Sequence, residues 1–143
     1  MKRFLQLSLF LISLQVGHVL QIGLVGAYAY GPSPLSARYS AYIETPKASV
    51  SGICILAETG DTVRGCFFNE FGITALSFLY IPSRDKVTLK SVMPALDKWY
   101  IRRVLRRDLR RLLHRLQQGD GTYQNSRYHI NYSLTPLDDE IPR

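Results

Sequence analysis

The spacing of apolar residues changes character along this chain. Residues 4 to about 26 form one long, mostly apolar run. Residues 38–92 form short runs rich in β-branched and aromatic side chains, and turn formers separate the runs. Residues 94–116 carry apolar side chains at every third or fourth position. The first pattern is an export or membrane segment, the second a set of strands, and the third one amphipathic helix.

The spacing predicts strands at residues 38–44, 49–57, 62–69, 72–81 and 86–92. Thr45-Pro46-Lys47, Glu58-Thr59-Gly60-Asp61, Asn69-Glu70-Phe71-Gly72 and Pro82-Ser83-Arg84-Asp85 stand between them as turns. Strands joined this closely form an antiparallel meander. Pro94 suits the first turn of a helix, and Leu96, Tyr100, Ile101, Val104, Leu105, Leu109, Leu112, Leu113 and Leu116 make its stripe. Gly119 ends it. Tyr128, Ile130, Tyr132 and Leu134 then alternate with Arg127, His129, Asn131 and Ser133, as in a strand with one wet face. The expected architecture is α+β: a curved antiparallel sheet of about six strands, with one long basic amphipathic helix packed across it and the last strand on an edge.

The N-terminal run follows Lys2 and Arg3 and ends at Ala27-Tyr28-Ala29, a small-x-small cleavage pattern. Residues 1–29 therefore read as a signal peptide, with an uncleaved N-terminal anchor as the alternative. Gln6, Gln15, His18 and Gln21 weaken the run as a permanent span. No cysteine near its end offers a lipid attachment point. Residues 30–37 read as a flexible leader, residues 38–135 as a single α+β domain, and residues 136–143 as a short acidic disordered tail. Export places the domain in the periplasm or cell envelope, apart from cytoplasmic nucleotides and nucleic acid.

Charge is concentrated. The chain carries a net +7. Within residues 97–115, Lys98, Arg102, Arg103, Arg106, Arg107, Arg110, Arg111 and Arg115 face only Asp97 and Asp108. Like charges four apart, such as Arg102/Arg106 and Arg103/Arg107, cost a few tenths of a kcal/mol each. Ordinary solvated helix faces mix both signs instead. The alternatives are a solvated face, contact with anionic headgroups or phosphates, and nucleic acid, which export sets aside. The candidate lipid- or anion-binding residues are Arg102, Arg103, Arg106, Arg107, Arg110, Arg111 and Lys98, with Trp99 and Tyr100 suited to an interface.

Cys54 and Cys66 flank the Gly60 turn, and a hairpin centred on Gly60 sets them opposite each other on one face. A cross-strand disulfide and two buried free thiols both remain open. Two cysteines with no nearby histidine do not make a metal site. His114 sits among arginines and His129 on a strand's polar face, and no nucleophile–base or phosphate-loop motif appears. No catalytic residue and no cofactor is assigned. Asn131-Tyr132-Ser133 has the form of a glycosylation acceptor, which carries meaning only in a eukaryotic secretory pathway.

Asn69-Glu70-Phe71-Gly72 and the string Leu96-Asp97-Lys98-Trp99-Tyr100-Ile101-Arg102-Arg103-Val104-Leu105 resemble small exported, often lipid-anchored envelope proteins of Bacteroidetes, over residues 49–113. More remotely, a meander with a crossing helix resembles the half-barrel fold of outer-membrane lipoprotein carriers and receptors. That resemblance implies an apolar concavity for acyl chains, lined here by Phe67, Phe68, Phe71, Phe78, Tyr80, Trp99 and Tyr100; read as residues alone, they fill a core. The expected protein is a non-enzymatic exported envelope protein. It binds lipid or an anionic membrane surface through an apolar sheet/helix pocket and the arginine face. The alternative is a structural or adaptor protein that docks an acidic envelope protein through the same helix.

Overall fold

The computed structural model describes residues 33–137. Residues 1–32, which hold the expected signal peptide and the start of the expected leader, and residues 138–143 lie outside the described residues. Seven strands form one antiparallel sheet: β1 (Arg38–Glu44), β2 (Ser49–Thr59), β3 (Thr62–Asn69), β4 (Thr74–Ile81), β5 (Lys86–Val92), β6 (Thr122–Asn125) and β7 (Ile130–Pro136). Their order across the sheet is β5-β4-β3-β2-β1-β7-β6. The first five strands are the expected meander. The last two return as a hairpin that adds to the β1 side, so β6 rather than the final strand forms that edge. The sheet curls into a half-barrel, and α1 (Trp99–Gln117) packs across it between the two edges, touching β5 and β6.

The seventh strand, β6, is the short polar segment Thr-Tyr-Gln-Asn, which shows no apolar alternation. Its hydrogen-bonded pairing with β7 makes it a strand. The β7 alternation begins at Ile130, not Tyr128. His129 turns the hairpin with φ 54°, and Tyr128 is left 44% exposed beside it. The helix begins at Trp99 because Pro94–Leu96 closes a separate 3₁₀ turn first. It ends where Gly119 takes φ 87°, a conformation costly for other residues.

Two expectations are corrected. Thr59 pairs with Thr62, so the hairpin turns on the two residues Gly60-Asp61, with Gly60 at φ 62° in the first turn position. That register sets Cys54 opposite Phe67 and Cys66 opposite Ile55. A one-residue offset puts neighbouring positions on opposite faces of a sheet. Cys54 is therefore buried, Cys66 is half-buried on the other side, and both are free thiols. The second correction concerns the domain's limits. Leu35, expected in a flexible leader, is 3% exposed, and the Tyr39 hydroxyl donates to the Pro34 carbonyl. Pro136 belongs to β7, and the Leu137 N–H donates to the Arg38 carbonyl.

The core lies between the inner sheet face and the helix. Leu56, Val63, Phe67, Phe78 and Tyr80 meet Leu112, Leu113 and Leu116 there. Each such side chain contributes about 1.5–3 kcal/mol by leaving water. A small apolar space of about 30 Å³ lies between the sheet and the helix, lined by Phe67, Leu76, Phe78, Leu109, Leu112 and Leu113 among others.

Candidate functional site

Helix α1 is seated unevenly. Leu109, Leu112, Leu113 and Leu116 in its C-terminal half are buried, whereas Ile101, Val104 and Leu105 are only partly covered. Asp108 lies in the apolar stripe itself, three residues after Leu105 and four before Leu112. It is 0% exposed. Its carboxylate accepts a 2.7 Å hydrogen bond from the Tyr132 hydroxyl, and the Asn125 amide nitrogen lies 3.0 and 3.1 Å from its two oxygens. The Asn125 carbonyl oxygen accepts in turn from the N–H groups of Arg127 and Tyr128. Burial and the Asp108 carboxylate both push the Tyr132 hydroxyl's pKa well above its usual value. All three side chains of this network are buried. The network fixes the helix to β6 and β7.

Two basic residues serve the same anchorage. Arg111 donates a 2.8 Å hydrogen bond to the Tyr123 hydroxyl, with its guanidinium 5.9 Å from that ring's centre. Arg115 pairs with Asp120, whose carboxyl falls to about 2 through the Thr122 hydroxyl and the Arg115 hydrogen bond. Arg111, expected at the binding face, therefore belongs to the seat.

The other side of the helix is open. Trp99, Arg102, Arg103, Arg106, Arg107 and Arg110 line a groove of about 860 Å³. Asp85 and residues 86–89 form its far wall. Trp99, Arg103, Arg106 and Arg110 follow helical spacing and form a stripe about 16 Å long. Arg102 is paired with Asp97 at 2.7 Å, and Arg110 approaches Asp85 at 3.8 Å. Among the described residues, Arg103, Arg106 and Arg107 have no ion pair. Asp85 also accepts a hydrogen bond from the Tyr80 hydroxyl, and burial with this carboxylate pushes Tyr80 up to about 12. The helix's first turn carries no acidic residue and no side-chain cap. Its unsatisfied N–H groups thus add positive potential to that of the arginines.

The structure brings together five of the six arginines expected at the binding face, with Trp99 at one end. Lys98 and Tyr100 are exposed beside the groove's start without lining it. Lys86 lines it from the sheet side and was not anticipated, because its place depends on where α1 lies across the sheet. The aromatics that resemblance placed in an acyl concavity separate. Phe67, Phe78 and Tyr80 fill the core, while Phe71 and Trp99 are 79% and 75% exposed. Phe71 sits on a turn closed by the Asn69 side-chain oxygen, which accepts from the N–H groups of Phe71 and Ile73. Among the described residues, no three His, Cys, Asp or Glu side chains converge as for a metal ion, and no helix is long and apolar enough to cross a membrane.

Compared with known proteins, the chain matches no family model, no curated protein and no solved structure.

Proposed function

We propose that this chain is a non-enzymatic exported envelope protein whose arginine groove docks an acidic segment of a partner protein. The observation that carries this reading is the groove itself. It is concave, of ligand-binding size, and walled by five arginines and Lys86 against one carboxylate, Asp85. Arginine forks bind carboxylates bidentately, so an acidic chain gains several charge-assisted hydrogen bonds at once. A flat bilayer reaches the rim of a concave site more easily than its floor. The export assignment rests on Lys2, Arg3, the apolar run and Ala27-Tyr28-Ala29.

A second reading, attachment to an anionic membrane surface, draws on the exposed Trp99, Tyr100, Phe71 and Ile73. Headgroup contact supports it better than acyl capture, because the space between the sheet and the helix at Phe67, Phe78, Leu109 and Leu112 is only about 30 Å³. One experiment separates the two. The full-length chain and its Arg103→Gln/Arg106→Gln/Arg110→Gln variant are titrated with a short polyglutamate peptide and, separately, with phosphatidylglycerol vesicles. The proposal expects peptide binding that weakens with salt and falls about tenfold or more in the variant. Vesicle binding should be unchanged between the two. Loss of vesicle binding with no peptide effect would assign the groove to membrane instead.

A further inference from the structure

We propose that the groove holds its acidic segment as an added strand, paired by main-chain hydrogen bonds to β5 with its carboxylates turned toward α1. This rests on the acidic-docking reading above and specifies how the segment is held.

The far wall of the groove is built from residues 86–89, four in succession. Consecutive strand residues point to opposite faces of a sheet, so a wall containing all four is the strand's backbone edge. β5 stands last in the sheet order, and no strand of the described residues pairs with that edge. Alternate N–H and C=O groups there offer a ready template for an extended chain. The stretch is also regular. Lys86, Val87, Thr88 and Leu89 pair in unbroken register with Ile81, Tyr80, Leu79 and Phe78. The irregularity falls beyond them, where Ser91 pairs with Ser77 and Lys90 is the extra residue.

Charge decides what can use this edge. Two copies joined β5 to β5 would bring Lys86, Lys90 and the arginine walls together, which like-charge repulsion opposes. An acidic strand turns the same field into attraction. Spacing agrees as well. Same-side residues of a strand recur about every 6.7 Å, and successive turns of α1 about every 5.4 Å. Long arginine side chains absorb that difference over two or three turns. Acids at every second position can therefore meet Arg103, Arg106 or Arg107, and Arg110 in turn.

The test uses the full-length chain and a labelled peptide alternating glutamate with valine, read by fluorescence anisotropy. Two further versions carry N-methyl groups, one on every valine amide and one on every glutamate amide. In an added strand only one set of N–H groups faces β5. One methylated version should therefore lose about tenfold or more in affinity while the other binds like the parent. If both versions bind like the parent, or both lose equally, strand addition is overturned while acidic docking stands. If the parent peptide does not bind, the docking reading itself fails. A chain that self-associates through the groove, with the peptide dissolving the dimer, would assign the edge to a second copy and overturn the proposal.

Discussion

At the β6 edge, α1 is locked down: Asp108 bridges Asn125 and Tyr132, Arg111 caps Tyr123, and four leucines are buried. At the β5 edge the same helix leaves a groove, half-covered apolar residues and arginines without ion pairs. Both halves of α1 are rich in arginine, with four in residues 99–107 and three in residues 108–117, so arginine content does not distinguish them. What distinguishes them is that the β6 side pairs Arg111 and Arg115 within the chain, whereas Arg103, Arg106 and Arg107 in the groove have no ion pair among the described residues. Asp97 and Asp85 offset the like-charge repulsion at Arg102 and Arg110 but leave Arg103, Arg106 and Arg107 without an ion pair among the described residues, which is why a partner from outside is the economical account.

This contrast can be broken from either side. The largest expected effects lie in the β6 half. Asp108→Ala strands the buried Tyr132 hydroxyl and Asn125 amide and should cost about 3 kcal/mol in urea unfolding. Leu113→Ala should cost about 2–5 kcal/mol, against about 1 kcal/mol for the half-covered Leu105→Ala. Equal losses at Leu113 and Leu105 would mean the halves are equally seated.

Next comes the arginine triple variant. It should weaken acidic-peptide binding about tenfold or more while leaving the unfolding midpoint unchanged or slightly raised, since it removes like-charge contacts. A large fall in stability would show that those arginines hold the fold.

The pH dependence is smaller and separates acid from alkali. Asp120's carboxyl, lowered from 3.8 to about 2, stabilises the fold above the higher value, and this contribution disappears as pH falls through the lower. Tyr80, raised from 10.0 to about 12, stabilises below the first value and loses this as pH rises through the second, joined by Tyr132. Thermal unfolding across pH should therefore show acid losses that Asp120→Asn removes and alkaline losses that it leaves intact.

The smallest effect is chemical rather than energetic. Burial pushes the Cys54 thiol up to about 12, so iodoacetamide near neutral pH should label Cys66 and spare Cys54. Intact mass under non-reducing conditions should show no disulfide.

Most of the fold was legible because it depends on local pattern. The bounds of β1, β3 and β5 follow from alternation and turn residues, and the helix stripe and its Gly119 stop follow from period. The cysteine register was missed because one residue's difference in turn length reverses a face, and apolar pattern around Gly60 does not settle it. β6 was missed because its four polar residues form a strand only through β7. The arginines were visible as a run, but their division into seat and groove depends on how α1 crosses the sheet. Asp108 did leave a signal: its spacing from Leu105 and Leu112 places a carboxylate inside the apolar stripe, and a buried acid there demands donors from elsewhere.

The most direct test of this division is amide hydrogen exchange on the full-length chain, with and without the glutamate–valine peptide. The account predicts that the outward-facing amides of residues 86–89 exchange fast in the free protein and become protected when the peptide binds. The C-terminal half of α1 and the β6–β7 hairpin should be protected throughout and unchanged. Protection appearing at β6, or none appearing at β5 when the peptide is bound, would contradict it.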